Sequence, residues 1–313
     1  MVSSKSKMAK NWIKIKNQKY LFLMLSPAVV LAILFSYAPL TGLWMSFTNF
    51  SPTGAGYFHD LFNAPFVGLD WFRFFLENDF TRVMRNTLVM SMLTLLIGFP
   101  LPIMIAIFLN EVRTKKLKTT LQTTSYLPYF ISWVIAANFM LVMFGANGPI
   151  NQILLNLGWT EERILFFQNG RMFWWIIAAS NTWKVMGYNA IIYLAAISGI
   201  PQDQFEAADI DGASRWQKIF YITLPTLRPT IVIMLILAVG NVLNTGFEQV
   251  LLLQNNAIFS YSDVLDTYIF RFGLNNGMFS YATAIGLFRS LVSFGLVFGA
   301  NMIARKKEST SLF

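Results

Sequence analysis

The sequence predicts an all-α polytopic membrane protein with about six transmembrane helices and with both termini in the cytoplasm. Of the 313 residues, 55% are apolar and 12% are charged, and the mean hydropathy is +0.52. Soluble domains carry about 25% charged residues, so half that share, with 30 Phe and 9 Trp, indicates a chain surrounded by lipid. The basic residues, which give a net charge of +9, flank the apolar segments and so indicate membrane topology rather than nucleic-acid binding.

Six mostly apolar segments are long enough to cross the hydrocarbon core, for which a helix needs about 20 residues. The predicted spans cover residues 20–47, 86–110, 124–146, 172–197, 230–253 and 280–304. The first three contain no charged residue, whereas Lys184, Glu248 and Arg289 each interrupt one of the others. Prolines within spans are compatible with this prediction, because neighbouring groups in a membrane protein satisfy the backbone groups that proline frees.

The positions of lysine and arginine orient the predicted bundle. If the N-terminus is cytoplasmic, most of the 24 basic residues fall in segments that face the cytoplasm. Cytoplasmic loops are enriched in lysine and arginine, and an even number of spans also puts both ends on one side. We therefore expect a basic cytoplasmic N-terminus at 1–19, a membrane domain at 20–304 with its core at about 83–304, and a cytoplasmic tail at 305–313.

The sequence offers few residues for catalysis or for metal binding. It has no cysteine and a single histidine, His59, so we expect no disulfide, no Cys-ligated metal and no Ser-His-Asp triad. It also lacks any Gly-Lys pair and hence the phosphate-binding loop of ATPases. We expect no catalytic residue, no metal and no bound cofactor in this chain.

The loop between the fourth and fifth predicted spans, residues 198–228, differs in composition from the rest of the chain. It contains a cluster of acidic residues, Asp203, Glu206, Asp209 and Asp211. Apolar residues recur at helical spacing around them, and Pro201 suits the first turn of a helix. The pattern predicts two short helices that are hinged at Gly212 and ended by Pro225 and Pro229, a form suited to docking a soluble partner.

The same loop resembles the EAA motif of binding-protein-dependent ABC importer permeases. That motif reads EAA, three residues, Gly, nine residues, Ile, one residue and Leu-Pro. Every fixed position is matched, by Glu206, Ala207, Ala208, Gly212, Ile222, Leu224 and Pro225. Segments 182–201, 247–253, 263–274 and 281–290 are similar to the oligosaccharide branch of the maltose-type sugar permeases, and the likeness extends over about 27–305.

The resemblance implies the transmembrane-domain fold of a type I ABC importer in the bacterial cell membrane. The chain would pair with a second permease subunit, and an extracytoplasmic sugar-binding protein would deliver the substrate. Two ATPase subunits, which use ATP and Mg, would dock on the inner face of the importer, where the 198–228 loop would form the coupling helices that sit in an ATPase cleft. The residues implied in coupling are Glu206, Ala207, Ala208, Asp211, Gly212, Leu224 and Pro225. Glu206 would meet a basic group of the ATPase, and Gly212 would permit the bend.

Two polar stripes within the spans are candidates for a sugar path. They consist of Asn181, Lys184 and Tyr188 in the fourth span and Asn241, Asn244 and Glu248 in the fifth. Each stripe has the spacing of one helix face, and Arg289 adds a charge in the sixth span. The alternative is that these groups pair with one another, or with the second subunit, and only hold the helices together.

The charges within the spans leave the nature of the sugar open. Lys184 and Arg289 are two cations, and Glu248 is the candidate acid. An unpaired cation at membrane depth costs several kcal/mol, which an acidic oligosaccharide, such as one containing uronate, would offset. Alternatively, Glu248 pairs with Lys184 while Arg289 meets backbone carbonyls or a carboxylate of the second subunit, and a neutral sugar then serves equally well.

Two other classes of protein compete with the importer subunit. A self-contained secondary transporter or channel would not need the 198–228 loop and would usually show more spans or an internal repeat. A membrane-embedded enzyme would need a nucleophile and a base at membrane depth, which the sequence does not offer.

Overall fold

The computed structural model describes residues 18–308. Most of these residues are helical, and the described part of the chain holds no extended pairing beyond one isolated bridge between Thr48 and Phe66. The all-α prediction is therefore confirmed. The predicted N-terminal segment, apart from its last residues, and the end of the predicted tail lie outside the described residues.

The helices are labelled here in chain order, with single turns left unlabelled. They are α1 Lys19–Phe47, α2 Tyr57–Asn63, α3 Asp70–Asn78, α4 Phe80–Glu111, α5 Lys115–Phe130, α6 Trp133–Met143, α7 Pro149–Asn156, α8 Gly170–Ser198, α9 Gln202–Ile210, α10 Arg215–Gly240, α11 Phe247–Leu253, α12 Leu265–Phe270 and α13 Phe279–Glu308.

Four helices of the described chain, α1, α4, α10 and α13, are long and apolar enough to cross a membrane. The pair α5 and α6 forms a fifth candidate, which is bent by 101° at a short break. The fourth predicted span corresponds to α8, which has 29 residues but is less apolar than the other candidates and is not counted among them. Its polar residues are tolerated because α8 lies within the bundle, where it packs along both halves of α4.

The structure corrects two of the predicted spans. The third is not a straight helix, because α5 ends at Phe130 and α6 starts at Trp133 in a different direction. The fifth does not cover 230–253, because α10 runs from Arg215 to Gly240 and residues 241–246 are not helical. Gly246, at a φ of +77°, then starts α11.

The second helix of the 198–228 loop is also longer than predicted. It is the start of α10, and neither Pro225 nor Pro229 ends it. A π turn at Ile219–Thr223 precedes Pro225, and Pro229 lies within the helix. Local π adjustments of this kind let a membrane helix continue past proline. The loop is thus joined to the fifth span without a break.

Three apolar clusters hold the bundle together. At the end that carries α9, the cluster joins α4, α8 and α10 and contains Ala106, Ala190, Tyr193, Ile197, Ile200 and Leu227. Toward the other end, one cluster is built around Phe173, Ile177 and Val250, and another around Phe75, Tyr268 and Tyr281. The first half of α1, by contrast, has no buried side chain.

Candidate functional site

The hinge of the 198–228 loop is a helix stop followed directly by a helix start. Gly212 has a φ of +73°. The N–H of Ala213 donates to the carbonyl of Ala208 at 2.8 Å, and that of Gly212 donates to the carbonyl of Asp209 at 3.1 Å. These two bonds form a Schellman motif, in which glycine takes the left-handed position. Ser214 and Gln217 then form a capping box that starts α10.

The hinge requires glycine for its backbone conformation and not for its small size. A side chain would be crowded at Gly212 if the two helices packed closely around it. A Cβ added there would instead meet no atom within 4 Å. The requirement for glycine therefore comes from its positive φ, which residues with a Cβ adopt only at a cost.

The 198–228 loop presents an exposed surface with both charged and apolar side chains. Glu206, Ala207 and Asp211 are exposed, as is Pro225, whereas Ala208 and Leu224 are half-buried. Large apolar side chains are exposed beside them, namely Ile210, Trp216, Phe220 and Tyr221, with Ile210 88% exposed. Exposed apolar groups that lie together mark a surface for a partner.

Two partly open cavities of the bundle share the non-helical segment 241–246 as part of their lining. The wide cavity, of about 860 Å³, is lined by α12, α13 and the start of α11. The narrow cavity, of about 340 Å³, lies between α4, α8 and α10. Asn241 and Asn244 line both. Non-helical backbone at membrane depth is tolerated where it lines such a cavity.

The structure brings together only some of the predicted path residues. Asn181 lines the narrow cavity, Asn241 and Asn244 line both, and Arg289 lines the wide one. Lys184, Tyr188 and Glu248 line neither cavity. Because helix α10 ends at Gly240, Glu248 does not continue the stripe of Asn241 and Asn244 along one helix.

Arg289 has a partner that sequence reasoning missed. Its guanidinium Nη1 donates to the Asp266 carboxylate, and the side chains are 25% and 12% exposed, respectively. The other carboxylate oxygen of Asp266 accepts the N–H of Thr245 at 3.4 Å. The expectation that Glu248 is the acid at this depth is therefore wrong, and so is the expectation that Arg289 lacks a carboxylate in its own chain.

Lys184 lines neither cavity and forms no ion pair with Glu248. Its ammonium donates to the backbone carbonyls of Pro128 at 3.2 Å, of Tyr129 at 2.9 Å and of Ile131. These carbonyls lie at the break between α5 and α6. The cation is thus satisfied within the chain, and the proposed ion pair with Glu248 does not form.

A second residue that sequence reasoning missed is Gln249, whose side chain is fully buried. Its Nε2 donates to the Ile177 carbonyl at 2.8 Å and to Ser180 Oγ at 2.6 Å. Its Oε1 accepts a bond from Asn181 at 3.4 Å, so Gln249 positions Asn181 at the narrow cavity. The signal in the sequence was a glutamine next to Glu248 within an apolar segment.

The end of the bundle opposite α9 is joined by an ionic network. Asp263, which is buried, accepts bonds from Arg82 at 2.9 Å and Arg271 at 2.7 Å. Burial opposes ionisation of Asp79, but hydrogen bonds from Arg82 and Tyr268 outweigh it and hold the pKa of Asp79 below its ordinary value. Within residues 18–308, no cluster of histidine and acidic side chains is suited to hold a metal ion.

Comparisons with known proteins extend over nearly the whole chain. The family model for the binding-protein-dependent transport system inner membrane component matches residues 98–308. Protein LplB of Bacillus subtilis (strain 168) is 40% identical over 301 residues, which are 96% of this chain and 92% of LplB. The polygalacturonan/rhamnogalacturonan transport system permease protein YteP of the same organism is 38% identical over 308 residues, 98% of this chain and 94% of YteP.

A solved structure is similar over the same extent. It is a bacterial ABC transporter involved in the import of the acidic polysaccharide alginate. One of its chains superposes with a TM-score of 0.86 at 36% sequence identity, and the match covers 96% of this chain and 99% of that one.

Proposed function

Because the chain belongs to the family of binding-protein-dependent transport system inner membrane components, we propose that it carries an acidic oligosaccharide into the cytoplasm as the permease subunit of an ABC importer. It is a multi-pass protein of the cell membrane. The observation that carries the substrate class is the likeness, along nearly the entire chain, to a subunit of the alginate importer. The name of YteP, which refers to polygalacturonan and rhamnogalacturonan, supports the same class.

The wide cavity offers the groups that such a substrate needs. Phe247 and Phe270 line it with ring centroids 5.0 Å apart, and aromatic faces stack on sugar rings. Asn241 and Asn244 provide donors and acceptors for hydroxyl groups. We propose that the sugar passes along this cavity.

Arg289 is the group that would recognise a carboxylate. Arginine has five N–H donors, and one of those of Arg289 goes to Asp266. The described residues supply no further hydrogen-bond partner for the guanidinium, and its side chain lines the wide cavity. Asp266 is more buried and has both oxygens engaged, so it orients Arg289. Two remaining N–H groups could then bind a uronate carboxylate in bidentate fashion.

The proposed partners follow from the phosphate-binding loop that the chain lacks and from the surface that the 198–228 loop exposes. The chain has no phosphate-binding loop, so two ATPase subunits would use ATP and Mg, and this chain would be non-catalytic. The docking surface that this chain contributes would be the 198–228 loop, with Glu206, Ala207, Ala208, Asp211 and Gly212 at its centre and Leu224 and Pro225 at its base. A second permease subunit and an extracytoplasmic binding protein would complete the importer.

Uptake by the reconstituted importer tests the proposal. The full complex in liposomes, with its binding protein, should take up uronate oligosaccharides only when ATP is supplied. Arg289→Met should lower uptake of the uronate about tenfold more than that of a matched neutral oligosaccharide, because it removes a charge-assisted hydrogen bond. Arg305→Met, an exposed arginine on the same helix, serves as the control.

Each outcome bears on a different part of the proposal. Equal loss of both sugars in Arg289→Met would contradict recognition of the carboxylate. Uptake by this chain alone without ATP would favour a secondary transporter. Transport of the neutral oligosaccharide but not of the uronate would refute the substrate class.

A further inference from the structure

Lys184 donates hydrogen bonds to backbone carbonyls at the break between α5 and α6. Helix α5 ends in a tight turn at Leu127–Phe130, and the chain changes direction by 101° before α6 starts. The last carbonyls of a helix have no partner within it and carry partial negative charge. The Lys184 ammonium has three N–H donors, and it contacts three carbonyls, those of Pro128, Tyr129 and Ile131. The Pro128 carbonyl also accepts the N–H of Ile131 at 3.3 Å.

Residues one turn further along α8 hold the same segment. The Tyr188 ring stacks on the Tyr129 ring with centroids 3.8 Å apart and planes within 3°. Gly187 lies against the α5 backbone so closely that a Cβ would come within 2.0 Å of the Ser125 carbonyl oxygen. Lys184, Gly187 and Tyr188 share one face of α8. We call these three residues the clamp.

The clamp is joined to the 198–228 loop by continuous structure. Helix α8 runs unbroken from Lys184 to Ser198, about 21 Å at 1.5 Å per residue. Only residues 199–201 separate it from α9. Ile200 is buried in the cluster that also contains Tyr193, Ile197 and Leu227, and Phe205 of α9 packs against that cluster. Ile200 and Phe205 therefore attach α9 to the cluster that contains the end of α8.

We propose that Lys184 is a positioning residue that makes the bent pair α5–α6 move together with α9 during each transport cycle. This inference rests on the proposed function, since it requires ATP-driven motion of α9. The position of Lys184 outside both cavities separates this role from sugar binding. Loss of the three bonds frees the break in α5–α6 while α9 stays attached to the bundle through Ile200 and Phe205.

The test is the ratio of sugar transported to ATP hydrolysed by the full importer in liposomes. Lys184→Met removes the cation and keeps an apolar chain of similar length. It should lower uptake about tenfold, the loss expected for a charge-assisted bond, whereas ATP hydrolysis stimulated by the binding protein stays within about twofold. Lys184→Arg keeps the charge and should restore part of the ratio. Ile192→Met, an exposed position on α8, should leave it unchanged.

A distance measurement reports the bend directly. The chain has no cysteine, so spin labels at Leu117→Cys and Val134→Cys, both exposed, measure the separation of α5 and α6. In the otherwise native importer the distribution of this distance should be narrow, and its mean should shift when ATP binds. In Lys184→Met the distribution should broaden and the shift should disappear.

Further variants keep the inference falsifiable if Lys184→Met does not insert. Tyr188→Leu removes the ring stack without leaving carbonyls unsatisfied, and it should lower the ratio of transport to hydrolysis by less than Lys184→Met. If Lys184→Met inserts, a wild-type ratio of transport to hydrolysis together with a wild-type distance shift overturns the inference. If Lys184→Met does not insert, an unchanged ratio in Tyr188→Leu overturns it. Absence of ATP-driven uptake in the unmodified importer contradicts the proposed function instead.

Discussion

Asp209 and Lys218 form an ion pair across the Gly212 hinge. Asp209 is near the end of α9 and Lys218 is in the first turn of α10, so the pair restrains the angle between the two helices. The Asp209 side chain is 64% exposed. An exposed pair contributes about 0–1 kcal/mol to stability, so its importance would lie in the orientation of α9 toward a docked subunit.

Charge exchange at this pair gives the first prediction. Asp209→Lys and Lys218→Asp should each lower ATP-driven uptake by about threefold, the scale of an exposed pair near 0.7 kcal/mol, because like charges then face each other across the hinge. The double variant should recover most of the uptake. Initial rates, normalised to the amount of inserted protein, provide the measurement. If the double variant lowers the rate of uptake by the product of the two single reductions, the pair does not orient α9.

Substitution of Gly212 gives the second prediction. Gly212→Asn should retain most uptake, because asparagine tolerates the left-handed region. Gly212→Ala should cost about 1–2 kcal/mol locally, and Gly212→Val should be worst, because a β-branched residue is least compatible with positive φ. Recovery of the ATPase subunits with the tagged chain measures docking in each variant. Equal docking in all three would show that the backbone at Gly212 does not shape the surface.

The orientation of the bundle gives the third prediction. Single cysteines at Lys116 and Ser214, both exposed, should react with an impermeant maleimide only after the cells are opened. Cysteines at Asn63 and Glu161, also exposed, should react in intact cells. The reason is the excess of lysine and arginine that the predicted cytoplasmic segments, taken together, hold over the predicted outer loops. Labelling of Ser214→Cys in intact cells would reverse the topology.

The long apolar helices could be predicted because lipid imposes a simple requirement on them. Helices α1, α4 and α13 correspond to three uncharged or nearly uncharged segments whose length matches the hydrocarbon core. The hinge at Gly212 was also predictable, since glycine is the usual residue after a helix end. In each case the determining residues are close together in the sequence.

Features that depend on distant residues could not be predicted. The break after Phe130 has no distinct local signal. Pro128 precedes it, but a proline does not by itself predict a break, because Pro27 and Pro229 lie within helices that continue. The break is stabilised by Lys184, which is 53 residues from Ile131 in the sequence. In the same way, Arg289 meets Asp266 only because α12 folds back against α13. Counting charges within spans therefore assigned both cations the wrong partners.

Neutralisation of Asp266 gives the last prediction, which concerns the charge of the wide cavity. In Asp266→Asn the amide oxygen can still accept the bond from Arg289, so the variant should insert. The cavity then carries one uncompensated positive charge from Arg289. A uronate should bind more tightly and leave more slowly, which lowers both its apparent KM and its maximal uptake rate, whereas a neutral oligosaccharide should change little.

Uptake rates measured over a range of concentrations of each sugar separate the two effects. The expected fall in KM for the uronate is about tenfold, equivalent to about 1.4 kcal/mol. Asp70→Asn, an exposed acid on α3, is the matched control and should change neither sugar. Asp266→Ala removes the hydrogen-bond acceptor as well as the charge and should insert less well than Asp266→Asn, because a buried donor left without an acceptor costs about 1–3 kcal/mol. A parallel change in KM for both sugars in Asp266→Asn would show that Arg289 does not bind the substrate carboxylate.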